Sequence, residues 1–166
     1  MTRSDENATP HVIRLHGPWG GSKGGIRNSE FGTSDAQVET GEPNVSKPTR
    51  VKVPLDFGDW LEPNFRGTVV LERAFGLPTN LDQHQSIQLV VQTGRQSLSS
   101  MSLNGTSLPT AASAVSDSGD GLNESWLYRH EITSLLQARN RLRLILAVES
   151  EPFGGLAYAA IEIMQR

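Results

Sequence analysis

Asn140-Arg141-Leu142-Arg143-Leu144-Ile145-Leu146-Ala147-Val148 decides the fold. Leu142, Leu144, Leu146 and Val148 alternate with Arg141 and Arg143, a period of two that belongs to a strand with one buried and one solvated face. Further segments of the same period precede it. Arg50–Pro54 sets Val51 and Val53 in phase. Thr68–Phe75 sets Val69, Leu71 and Phe75 on one side. Ser86–Gln92 alternates Ile87, Leu89 and Val91, and Leu98–Leu103 puts Met101 and Leu103 together. His11–His16, Trp126–Glu131 and Leu156–Met164 complete the set, with Ile161 and Ile163 facing inward. Asn104-Gly105 is the strongest hairpin signal, because both residues tolerate the positive φ of a type I′ turn. Thr133–Ala138 reads as one helical turn capped by Thr133. Eight or nine strands, almost no helix and no internal repeat give an all-β, two-sheet antiparallel sandwich.

The intervals between these strands read as connections. Residues 1–10 form a polar tail expected to be disordered, and residues 11–166 a single sandwich domain. Residues 20–49 form a long loop, rich in Gly, Ser, Asn and Thr, in which Gln37–Thr40 is a possible short edge strand. Asp56–Arg66 reads as a polar and aromatic connection, and Pro109–Ser125 as a Ser, Ala and Asp loop.

Size and charge remove several function classes. A chain of 166 residues buries roughly 70% of its unfolded surface. Net charge is −3 and no basic stripe is visible, which argues against a nucleic-acid partner. There are no cysteines, hence no disulfides or thiol chemistry. No apolar run approaches a membrane span, and Met1–Pro10 lacks the apolar core of a secretory signal. A cytoplasmic protein is the resulting expectation.

Five phrases in order carry a likeness to a known family. They are Val53-Pro54 followed by Asp59-Trp60, then Arg73 and Phe75, then Asn104-Gly105, then Glu131-Ile132-Thr133, then Leu135, Leu136 and Asn140 leading into Leu142–Leu146. This order resembles the sugar-binding jelly-roll domain of family-2 glycoside hydrolases of the β-galactosidase type, a galactose-binding-domain-like fold. It covers about two thirds of the chain. Leu71 and Glu72 stand where the family has an aromatic and an arginine, and Pro109–Ser116 replaces its Gly-rich stretch. The catalytic barrel of those enzymes, which carries their acid and nucleophile, is absent. The resemblance implies jelly-roll topology and a non-catalytic carbohydrate-binding-like module standing alone. The alternative is a protein-interaction or structural module with no sugar ligand.

Candidate ligand-binding residues follow from the chemistry of sugars, whose C–H faces stack on aromatic rings. Trp19, Trp60, Trp126 and Tyr128 lie at strand ends or loops, with Arg66 available for hydroxyl groups. The ordinary role of such rings is to cap a core, above all for Trp60 beside Val53-Pro54. Asp117, Asp120, Asn123 and Glu124 surround Gly119 and Gly121 and offer oxygen ligands for a structural Ca²⁺. Their spacing is not that of an EF-hand, and a solvated flexible loop is the favoured reading. No other cofactor is implied. Asp56, Asp59 and Glu62 could serve a hydrolase as an acid/base pair, though no partner base is visible. The four histidines show no metal-ligand spacing, and the glycines at 20–25 form no phosphate-binding motif.

Overall fold

The computed structural model describes residues 9–25, 46–94, 98–116, 124–150 and 154–165. Strand makes up 61% and helix 6% of these residues. The strands are β1 (His11–Arg14), β2 (Trp19–Gly25), β3 (Thr49–Val51), β4 (Leu55–Asp56), β5 (Gly67–Gly76), β6 (Gln85–Thr93), β7 (Leu98–Leu103), β8 (Thr106–Leu108), β9 (Ser113–Ser116), β10 (Glu124–Glu131), β11 (Arg139–Val148) and β12 (Gly155–Gln165). A four-residue helix α1 (Phe57–Trp60) and a 3₁₀ turn at Thr133–Leu135 complete the set.

Two antiparallel sheets face each other. Sheet A runs β1-β12-β6-β10-β9, with β4 also paired to β12, and sheet B runs β3-β2-β5-β11-β7-β8. Consecutive long strands cross between them: β5 and β7 lie in sheet B, β6 between them in sheet A, and β11 leaves sheet A's β10 for sheet B before β12 returns. The sandwich is the one the period-2 pattern implies, and the crossings between its sheets agree with the jelly-roll topology that the resemblance implies.

The period-2 pattern fixes the core. Leu142, Leu144 and Leu146 are fully buried, while Arg141 and Arg143 point to solvent. Val69, Leu71, Met101 and Leu103 extend this layer in sheet B. Ile87, Leu89, Val91, Tyr128 and Ile161 answer it from sheet A. Full burial of each such aliphatic side chain contributes about 1.5–3 kcal/mol. The Asn104-Gly105 turn joins β7 to β8, with φ of 53° and 83° and Leu103 opposite Thr106.

Four expectations change. Residues 20–25 are not loop: they belong to β2, paired with β3 and β5. Gly21 serves close approach, since a Cβ there would stand 2.9 Å from the Trp60 ring. Residues 26–45, including Gln37–Thr40, lie outside the described residues. Second, Asp56–Arg66 is not simply connection but holds β4's Asp56 and α1. Third, the Pro109–Ser125 interval contains edge strand β9, where Ala114 lies opposite Trp126. Fourth, Thr133 is not a helix cap. The 3₁₀ turn is entered from Ile132 without a side-chain cap, and the Thr133 hydroxyl accepts the Ile87 N–H at 2.8 Å instead.

Candidate functional site

The aromatic candidates separate into two kinds. Trp19 is 1% exposed, and its indole Nε1 donates to the Leu15 carbonyl at 2.7 Å. Tyr128 is also 1% exposed, and its hydroxyl accepts the backbone N–H of Leu98 at 2.9 Å, tying sheet A to sheet B. Neither offers a ring face to a sugar. Trp19 begins β2 in phase with inward-facing Gly21, and Tyr128 sits mid-strand among core residues. The sequence put Trp19 at a strand end because residues 20–49 read as loop, and Tyr128 near the start of a strand read as Trp126–Glu131, which in fact begins at Glu124.

Trp60 and Trp126 are partly buried and pack against the core. Trp60 closes α1 over β2. Its carbonyl accepts from Lys23 Nζ at 2.9 Å, and that ammonium lies 5.0 Å from the ring centroid. The cation thus holds the ring in place as a plug over Gly21. Trp126 pairs with Thr93 at the close of β6. Arg66, just before β5, is half-buried and donates to the Phe65 carbonyl at 2.8 Å. Arg66 and Trp126 share one end of the sandwich, whereas Trp19 and Tyr128 belong to its interior.

Of the carboxylate candidates, Asp56 is engaged locally, Asp59 and Glu62 are exposed at the surface, and the others fall outside view. Asp56 Oδ1 accepts the Gly58 N–H at 2.7 Å and caps α1. Asp117, Asp120 and Asn123 lie outside the described residues, as does the side chain of Glu124. Among the described residues no three His, Asp or Glu side chains converge as metal ligands. No described helix is long and apolar enough to cross a membrane.

Sequence reading missed a cleft on the outer face of sheet B. It encloses about 300 Å³ and is lined by Pro18, Trp19, Gly20, Pro48, Thr49 and Arg50. The register explains it. Arg50, Gly20, Glu72, Arg143 and Ser102 form one row across five strands, all on the outer face. Gly20 leaves a gap in that row: a Cβ there would meet nothing nearer than Pro48 Cβ at 3.8 Å. Glu72 turns away from the gap. Its carboxylate accepts from Arg141 Nη2 at 2.9 Å and lies 3.7 Å from Arg143 Nε. The Arg50 guanidinium has no hydrogen-bond or ion-pair partner among the described residues and stands exposed at the cleft. The only signal in the sequence is a glycine at an outward strand position, visible once β2 is known to be a strand.

An antiparallel two-sheet sandwich with a shallow cleft on one outer face is the class of domain this geometry defines. Solved structures place the fold further. The chain matches a β-glucuronidase from Bifidobacterium dentium with TM-score 0.61 at 16% identity, covering 97% of this chain and 31% of that one. A Faecalibacterium prausnitzii β-glucuronidase gives 0.62 at 12% identity, covering 99% and 33%. A β-D-mannosidase from Dictyoglomus thermophilum gives 0.51 at 14%, covering 82% and 16%. The chain therefore spans a third or less of the length of these enzymes. At such identities the likeness is one of fold, and at that level the resemblance to the sugar-binding domain of family-2 glycoside hydrolases holds. No family model matches the chain, and no curated protein matches it in sequence.

Proposed function

We propose that this chain is a non-catalytic carbohydrate-binding module. The observation that carries the reading is the fold: nearly the whole chain superposes on 31% of one β-glucuronidase and 33% of another. Two features agree with it. Asp56 is engaged as a helix cap and Glu72 is held by two arginines. Trp126 is only partly buried, and the cleft at Gly20 has the volume of a small-ligand site. Contacts this shallow imply affinity near the millimolar level, which corresponds to about −4 kcal/mol.

Titration with galactose, glucose and short glycans, followed by amide chemical shifts, tests the proposal. A saturable change with at least one of them supports it. No saturable change up to tens of millimolar shifts the reading to a protein-interaction module, which the burial of Trp19 and Tyr128 favours.

A further inference from the structure

We infer that the cleft over Gly20 is a subsite for a monosaccharide-sized ligand carrying a carboxylate. The inference rests on the carbohydrate-binding reading and adds to it a location and a charge. Volume is the first argument. About 300 Å³ is at the lower end of the range of small-ligand sites. The gap itself is wide enough: Arg50 and Glu72 occupy strands on either side of β2, so their backbones stand two strand spacings apart, about 9–10 Å.

Charge is the second argument. The outer face around the row is rich in arginine. Glu72, the acid nearest the gap, already has its carboxylate bound on the side of β11, where Arg141 and Arg143 hold it. Arg50 is the one charged residue in the cleft lining, with Arg73 reaching its rim to donate to the Pro18 carbonyl at 2.6 Å, and a guanidinium is built for bidentate contact with a carboxylate. Pro18 and Pro48 flank the floor with apolar rings suited to the C–H face of a sugar, and bare Gly20 lets that ring approach the sheet backbone. A neutral sugar would use the proline faces and leave the guanidinium without a carboxylate. An acidic sugar would use both.

The test titrates the whole chain with glucuronate, its neutral amide glucuronamide, glucose and sodium acetate at matched ionic strength, reading amide shifts. The expected result is a saturable response to glucuronate at Gly20, Thr49 and Arg50, at least about tenfold tighter than for glucuronamide or glucose. Acetate should respond far more weakly than glucuronate. Arg50→Gln should abolish the preference for glucuronate, and Gly20→Leu, which fills the gap, should abolish binding there. Both positions are accessible, so an unchanged spectrum elsewhere confirms that the variants are folded. Equal binding of glucose and glucuronate, an acetate response matching glucuronate, or indifference to Arg50→Gln would overturn the acidic subsite while leaving the carbohydrate reading intact. No response to any sugar would overturn both.

Discussion

The side-chain amide of Asn104 donates to the side-chain oxygen of Asn140 at 3.0 Å. Two phrases far apart in sequence, the hairpin Asn-Gly and the asparagine that opens the alternating strand, are therefore one polar joint. Asn104 Nδ2 also donates to the Leu135 carbonyl, and its Oδ1 accepts the Arg141 N–H at 2.8 Å. Asn140 accepts the Gln137 N–H and donates back to the Gln137 carbonyl, both at 2.8 Å. Asn140 itself is only 2% exposed, so its side-chain amide makes these hydrogen bonds from a buried position, while Asn104 and Gln137 lie nearer the surface.

Asn140→Ala should accordingly destabilise the domain by about 1–3 kcal/mol, the cost of losing the three hydrogen bonds that its buried amide makes to Gln137 and Asn104. Urea unfolding with an unchanged m-value checks this. A loss within about 0.5 kcal/mol, the range of an ordinary surface change, would show that the joint is dispensable.

Leu144→Ala should cost roughly 2–5 kcal/mol, because Leu144 is fully buried between β5 and β7 and its removal leaves a cavity. Arg143→Ala, one residue away on the outer face, should cost less than about 1 kcal/mol. Thermal denaturation of both variants measures the contrast. Similar losses from the two would contradict the strand phase.

His130 faces the interior from β10, and burial pushes its pKa below the ordinary histidine value, with a hydrogen bond to the Pro109 backbone opposing part of that shift. The unfolded chain therefore binds the proton more readily than the folded one. The contribution of neutral His130 is fully present above the unfolded pKa of about 6.5 and is lost as pH falls towards the lower folded value. Unfolding free energy should decline from pH 7.5 to pH 5.5, and His130→Gln should flatten the slope in that window. A slope identical in wild type and variant would assign the acid sensitivity to other groups.

The core was legible because burial imposes a period of two, and Leu142 to Leu146 carry it without interruption. The polar joint was legible only as motif: Asn104-Gly105 announced a turn, but nothing in the sequence shows that Asn104 reaches Asn140. β2 was hidden because glycine has no hydrophobic phase to read. Gly21 is required by the Trp60 ring, a tertiary contact that local pattern does not encode. The same blindness concealed the cleft, whose floor is Gly20. Trp19 and Tyr128 looked like ligand platforms because aromatics near strand ends serve either a core or a surface, and only the packing decides between them.

The most direct measurement of the central claim is a glycan array probed with the intact chain, paired with an assay for released reducing sugar on every glycan retained. The account predicts retention of at least one glycan class, competed away by the free sugar at millimolar concentration, with no reducing sugar released. Absence of retention across the array, or release of reducing sugar from a retained glycan, would contradict it.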